Sequence, residues 1–192
     1  MPKVYSNEER QNIKERLKCE ANILMREKGV KKTTVDELVK RVDIPKGTFY
    51  LFYSSKEELF FEVSQNYHKK IDLFIEKGFK EIIFIDSKEE KIEKITNLFL
   101  EALKITYNSC LAVLLEPEVM NSILSKLPEK TIKEHLEQET YLPFETSIDV
   151  KQLKSAFMMI IFGGMYKKEC GNKNWESSLR LLIRGLVIQM VK

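Results

Sequence analysis

The stretch from Thr34 to Leu59, TVDELVKRVDIPKGTFYLFYSSKEEL, leaves few folds open. Thr34 followed by Glu37 has the form of a capping box, in which a side-chain oxygen takes up an orphan N–H of the first helical turn. It opens a short helix to about Arg41. Only Val42, Asp43 and Ile44 precede the next helical segment, so the chain must turn tightly. Asp43 is the pivot, where a left-handed backbone is expected; Gly takes it freely, and Asp or Asn tolerates it. Val35, Leu38, Val39, Val42, Ile44, Phe49 and Phe52 are the candidate shared core. Two short helices around such a turn form a helix-turn-helix, whose second member enters the DNA major groove.

The second helix is unusual in its own right. Gly47 sits in its first turn at a cost of about 1 kcal/mol relative to Ala, which is repaid if the backbone must approach a phosphate or base edge closely. No carboxylate lies between Asp43 and Glu57. Lys46 suits a phosphate or the acceptors on guanine. Thr48 and Tyr50 offer hydroxyls, and the helix start at Ser55 and Lys56 offers N–H groups and charge to a second phosphate. The bland reading, core aromatics and solvated lysines, is adopted for Phe49 and Phe52. Charge distribution agrees: residues 1–60 carry thirteen Lys and Arg against ten Asp and Glu, whereas residues 61–192 carry nineteen of each.

The rest of the chain reads as helix. Ile13, Leu17, Ala21 and Leu24 recur at helical spacing from about Asn7 to Lys28, with Gly29 as the stop. Ser55 and Ser87 each begin an SKEE capping box, opening helices to about Lys77 and Tyr107. Pro117 and Pro128 suit the first positions of two shorter helices. Asp149 and Asn174 are candidate caps of the last two, ending near Lys168 and Val191. EIIFID (81–86) is the best strand candidate and stands alone. Cys19, Cys110 and Cys170 lack the spacing of a disulfide framework or zinc site. His68 and His135 are lone imidazoles with surface placement as the default. No signal-peptide core or bilayer-length apolar run is present, and a cytoplasmic protein is expected.

Residues 29–59, GVKKTTVDELVKRVDIPKGTFYLFYSSKEEL, resemble the DNA-binding motif of TetR-family transcriptional regulators. The likeness rests on Gly29, Thr33-Thr34, Val35, Leu38-Val39, Ile44, Lys46-Gly47-Thr48, Phe49-Tyr50 and Ser55-Lys56-Glu57-Glu58-Leu59. It implies phosphate contact at Thr34 and Lys56 and DNA contact along Pro45, Lys46, Gly47, Thr48 and Tyr50. Three positions depart from the family pattern. Asp43 replaces a usual Gly. Phe52 replaces a Tyr or His, removing a phosphate donor, and Tyr53 replaces a Phe, returning one hydroxyl.

The expected fold is therefore all-α, with about nine helices. A three-helix helix-turn-helix domain over residues 1–54 precedes a helical ligand-binding and dimerisation bundle over 55–192. The last two helices are apolar nearly all round, so both sides need cover. Either both are central to one subunit's core, or one side faces a second copy. The resemblance favours a homodimer, with Met158, Ile161, Leu182, Leu186 and Met190 as candidate interface and Gly163, Gly164 and Gly185 allowing close approach. A dimer also suits two half-sites about 34–36 Å apart on double-stranded operator DNA. By the same resemblance a small apolar or aromatic effector is expected among Phe99, Leu103, Tyr107, Phe157, Phe162, Met165, Tyr166 and Trp175, though for each one taken singly ordinary core packing is the favoured reading. No catalytic motif, cofactor site, metal site or membrane partner is expected. A helical protein-binding module is the competing class, separated from a regulator only by residues 44–56.

Overall fold

A computed structural model describes residues 5–109, 111–131, 148–167 and 171–191. Cys110, His135, Cys170 and the helix end expected near Lys168 lie outside the described residues. Among those residues every regular element is helical, as expected, and residues 81–86, the nearest approach to a strand pattern, form no strand. Residues 81–82 instead finish a long helix, and Ile83 and Phe84 follow in an exposed turn. No helix among the described residues is long and apolar enough to cross a membrane. The chain forms two compact units, residues 1–68 with 109–137, and 69–108 with 138–192.

In the first unit, α1 (Asn7–Lys32) opens on a complete capping box: Ser6 Oγ accepts from Glu9 N–H, and the Glu9 carboxylate accepts from Ser6 N–H. Its stripe Ile13, Leu17, Ala21, Leu24 and Met25 is buried. Gly29, at φ +81°, breaks the regular helix as expected, and one further turn continues beyond it. Thr33, fully buried, donates its hydroxyl to the Gly29 carbonyl at 2.9 Å. Helix α2 (Val35–Val42) begins with Thr34 Oγ1 accepting from Glu37 N–H, but the Glu37 carboxylate pairs with Lys28 instead of closing the box. Asp43 takes the left-handed conformation at φ 54°, ψ 56°, and Ile44 N–H reaches back to Val39 O at 3.0 Å. Arg16 Nη2 donates to Val42 O at 2.5 Å, satisfying a carbonyl at the end of α2. A single turn, α3 (Lys46–Phe49), follows. Leu38, Val39, Val42 and Phe49 are core, while Val35, Ile44 and Phe52 are only half-buried.

Helix α4 (Lys56–Ile82) starts in the first unit and ends in the second. Ser55 Oγ accepts from Glu58 N–H, yet the Glu58 carboxylate bonds Ser54, one residue earlier than a capping box requires. His68 on this helix is half-buried rather than at the surface. The first unit also holds α6 (Leu111–Leu114), packed on α1, and α7 (Pro117–Leu124), whose Glu118 pairs with Lys31 at 2.6 Å.

In the second unit, α5 (Lys88–Tyr107) is capped by Ser87. Helix α8 (Val150–Gly164) is capped by Asp149, which accepts from Lys151 and Gln152 N–H groups. Helix α9 (Asn172–Met190) starts earlier than expected: Gly171, at φ +75°, is the boundary residue, and Asn174 lies inside the first turn. Helix α9 packs on α5 and α8 around Phe79, Ile95, Phe99, Leu179, Ile183 and Val187. Arg180 pairs with Glu93, Arg184 with Glu89, and Lys104 with Glu176, closing the polar rim between α5 and α9.

Candidate nucleic-acid interface

Four of the residues expected at DNA meet around one shallow depression of about 380 Å³ in the first unit: Thr34, Lys46, Tyr50 and Lys56. Thr33, Val35, Asp36, Ser54, Ser55 and Glu57 complete its lining. Three elements build it. The cap of α2 brings Thr34, the left-handed turn at Asp43 folds α3 back to present Lys46 and Tyr50, and the first turn of α4 brings Lys56. Tyr50 is 52% exposed and stands edge-on to the buried Phe49 ring at 5.4 Å, so one edge of the ring is packed while much of the residue stays open to solvent. Pro45 and Gly47 are exposed on the opposite flank of α3, on a second and larger depression shared with Tyr5, Arg16 and Leu51. A Cβ built on Gly47 would meet nothing within 4 Å. Among the described residues nothing therefore crowds a larger side chain there, although glycine weakens a helix.

The two lysines are both engaged. Lys46 Nζ lies 2.9 Å from Asp36 Oδ1, and the hydrogen bond and charge of Asp36 raise the lysine pKa. Lys56 Nζ donates to Thr33 O at 2.7 Å and to Val30 O at 3.0 Å, the latter also accepting from Thr33 N–H at 3.3 Å, so it adds a donor to carbonyls where α1 ends. That cation is favoured by the negative end of α1 and stitches it to the first residue of α4.

Two expected contacts point inward. Thr48 is 6% exposed, and its hydroxyl lies 3.2 Å from the Tyr5 hydroxyl. Tyr53 is 2% exposed, with its hydroxyl shut off from solvent and without a hydrogen-bond partner. Burial, and then the nearby Glu62 carboxylate, push this phenol's pKa far up, but Glu62 does not reach it in hydrogen-bond geometry. In this conformation the Tyr53 hydroxyl is unavailable to a phosphate. The reason is the packing of its ring on Phe49, 5.8 Å between centroids. Sequence reading missed Asp36, Tyr5 and Arg16. Each acts on a residue 10, 43 or 26 positions away, distances at which no local pattern signals contact.

The residues expected to line an effector pocket divide in the same way. Phe99, Leu103 and Trp175 are buried, and Tyr107, Phe157 and Met165 half-buried. Phe99 and Phe157 lie 4.4 Å apart between centroids, and Tyr107 meets Trp175 edge-on at 5.4 Å. Tyr107 Oη donates to Ile161 O at 2.5 Å and Trp175 Nε1 to Gly164 O at 2.7 Å, satisfying carbonyls at the end of α8. Desolvation raises the Tyr107 pKa, keeping it a neutral donor. Phe162 and Tyr166 face outward instead.

Of the expected interface residues, Met158 and Leu182 are exposed, Ile161 and Leu186 are half-buried against the core, and Met190 is fully buried within it. Met158 and Leu182, with Met159, Phe162, Leu181 and Ile188, leave apolar surface uncovered on both α8 and α9. No group of metal-binding side chains occurs among the described residues.

Comparison with known proteins agrees with the helix-turn-helix. No curated protein matches the chain. Among solved structures, RolR in complex with the ligand resorcinol is 14% identical, with 97% of this chain and 98% of that chain covered at a TM-score of 0.56. The fatty acid degradation regulator FadR from Bacillus halodurans is 14% identical, with 96% and 97% covered at a TM-score of 0.52. At these identities the likeness is one of fold. Residues 20–63, from the middle of α1 into α4, match the family model described as bacterial regulatory proteins, tetR family. Over that segment the chain is similar to the tetR family of bacterial regulatory proteins.

Proposed function

We propose that the chain is a ligand-responsive transcriptional repressor, released from a palindromic operator when a small apolar or aromatic effector binds. In this reading residues 1–54 bind DNA, joined by Lys56 at the start of α4, and residues 55–192 otherwise sense and dimerise. The observation that carries it is the convergence of Thr34, Lys46, Tyr50 and Lys56 on one solvent-facing depression. Homodimerisation through α8 and α9 accounts for the uncovered Met158, Met159, Leu181 and Leu182. The resorcinol carried by RolR supports a small aromatic effector near Phe99, Phe157 and Trp175. Cytoplasmic location and the lack of an enzymatic role go with this reading.

Helix α4 supplies the route, since its first turn carries Lys56 and it continues into the second unit. An effector that favours a different tilt of α4 lowers DNA affinity by its differential affinity for the two forms, about 1–3 kcal/mol or about 5–150-fold. Operator DNA must then weaken effector binding by the same factor. The primary test is a gel shift on the fragment upstream of the chain's own coding sequence. A specific, salt-sensitive complex supports the proposal. Failure to shift any duplex at low salt would leave a helical protein-binding module instead.

A further inference from the structure

The sequence keeps carboxylates out of residues 44–56, yet the fold returns one. Asp36, in the first turn of α2, sits 2.9 Å from the single lysine of α3. Resting on the DNA-binding reading above, we propose that Asp36 is an intramolecular competitor for DNA phosphate. It occupies Lys46 in the DNA-free protein, and the pair must open before Lys46 can serve the duplex.

Three observations carry this. First, the pair is not needed to hold the turn. The Lys46 and Asp36 side chains are 52% and 71% exposed, and such pairs contribute little to stability. The α2–α3 junction is already fixed by the Asp43 and Ile44 backbone bonds and by buried Leu38, Val39 and Phe49. Second, both partners line the depression that also gathers Thr34, Tyr50 and Lys56, so the pair shares the surface proposed to meet phosphate. Third, the two partners are unequally anchored. Asp36 is favoured by the positive end of α2, whereas Lys46 hangs on a flexible four-carbon stem. Lys46 is the partner that swings.

The consequence falls mainly on sequence-independent binding, which is almost wholly electrostatic. A duplex that offers only phosphate must displace Asp36 and then face a bare carboxylate. An operator has other contacts with which to offset that loss. Asp36 therefore lowers the affinity of every duplex that recruits Lys46, and the loss is most visible where phosphate contacts are all that hold the duplex.

The test compares wild type, Asp36→Asn, Lys46→Ala and the double variant by fluorescence anisotropy, using a random-sequence duplex and the fragment upstream of the chain's own gene. Circular dichroism checks folding, and Asp36→Ser provides a second neutral residue that still accepts at a helix start. Asp36→Asn should tighten the random duplex and steepen its log K against log salt slope by about 0.9, or about 3.5-fold more affinity lost between about 50 and 200 mM salt. The steepening should vanish in the Lys46→Ala background. A slope unchanged in Asp36→Asn overturns the inference. So does a gain of equal size with and without Lys46, since Asp36 would then be repelling DNA on its own. If neither duplex binds any of the proteins, the DNA-binding reading falls, and this inference with it; a binding wild type with an unaltered Asp36→Asn removes the inference alone.

Discussion

Gly163 and Gly164 are neighbours at the end of α8, and alanine should act on them with opposite sign. Helix propensity alone favours Ala over Gly by about 1 kcal/mol at either position. At Gly163 a Cβ would meet nothing within 4 Å, so that gain should appear in full. At Gly164 the same Cβ would run into the Tyr107 ring, with Cζ at 2.5 Å and Cε2 at 2.9 Å and the hydroxyl oxygen closer still. Tyr107 cannot step aside freely, because its hydroxyl is bonded to Ile161 O and its ring is packed on Trp175. Overpacking of this kind costs about 1–3 kcal/mol, and a displaced hydroxyl forfeits about 1 kcal/mol more. Subtracting the propensity gain leaves Gly164→Ala about 1–3 kcal/mol less stable, a drop of about 2–12 °C in Tm for a chain of this size. Urea unfolding of the two single variants, together with Gly164→Ala/Tyr107→Phe, is the assay. The Phe ring removes the nearest clashing atom, so the double variant should recover part of the loss. Equal effects at the two glycines, or no recovery in the double variant, would refute the packing argument.

Further outcomes follow from the same geometry. Tyr53→Phe removes a buried hydroxyl without a partner and should leave the chain as stable or about 1 kcal/mol more stable, with DNA affinity unchanged; a loss of affinity in a titration would mean that the side chain swings out to DNA. Gly47→Ala should raise stability by about 1 kcal/mol while weakening operator binding in gel shifts, and retained binding would remove the close-approach argument. Leu182→Glu should give a folded monomer by sedimentation, whereas Met190→Glu should unfold the second unit, because only the latter places an unpaired charge in the core. Lys56→Ala should cost about 1 kcal/mol in unfolding experiments by removing the donor to Thr33 O at the end of α1, independent of any effect on DNA.

What could be read from the residues in advance was local. Thr34, Ser87 and Asp149 cap their helices because a side-chain oxygen and an N–H two or three residues on are brought together by the first turn itself. Asp43 turns left-handed because three residues must reverse the chain. Side-chain destinations were not legible in the same way. Whether Tyr50 or Tyr53 faces solvent depends on how α3 rolls against α2 and α1, and their spacing along the chain is compatible with either. Lys46 and Lys56 read as free cations because Asp36 and the carbonyls of Val30 and Thr33 reach them only after folding. The run EIIFID failed as a strand for a physical reason too: Ile82 is buried on the last turn of α4, while Ile83 and Phe84 are both exposed, which is not the alternation of a half-buried strand. The apolar character of α9 was readable, but only the fold separates Leu182, outside, from Ile183, inside.

The return of residues 109–124 to pack in the first unit has a practical bearing on chimeras. Swapping reading heads between regulators by cutting after the helix-turn-helix assumes that the head is contiguous. Here α1 is covered in part by α6, with Leu111 and Leu114 buried, and its end is tied to α7 through Lys31 and Glu118. A transplant ending at residue 54 or 68 would carry α1 away from that cover and leave a foreign helix pair beneath the incoming head. A compatible exchange has to move two separate pieces of sequence, or redesign the face of α1 that meets α6.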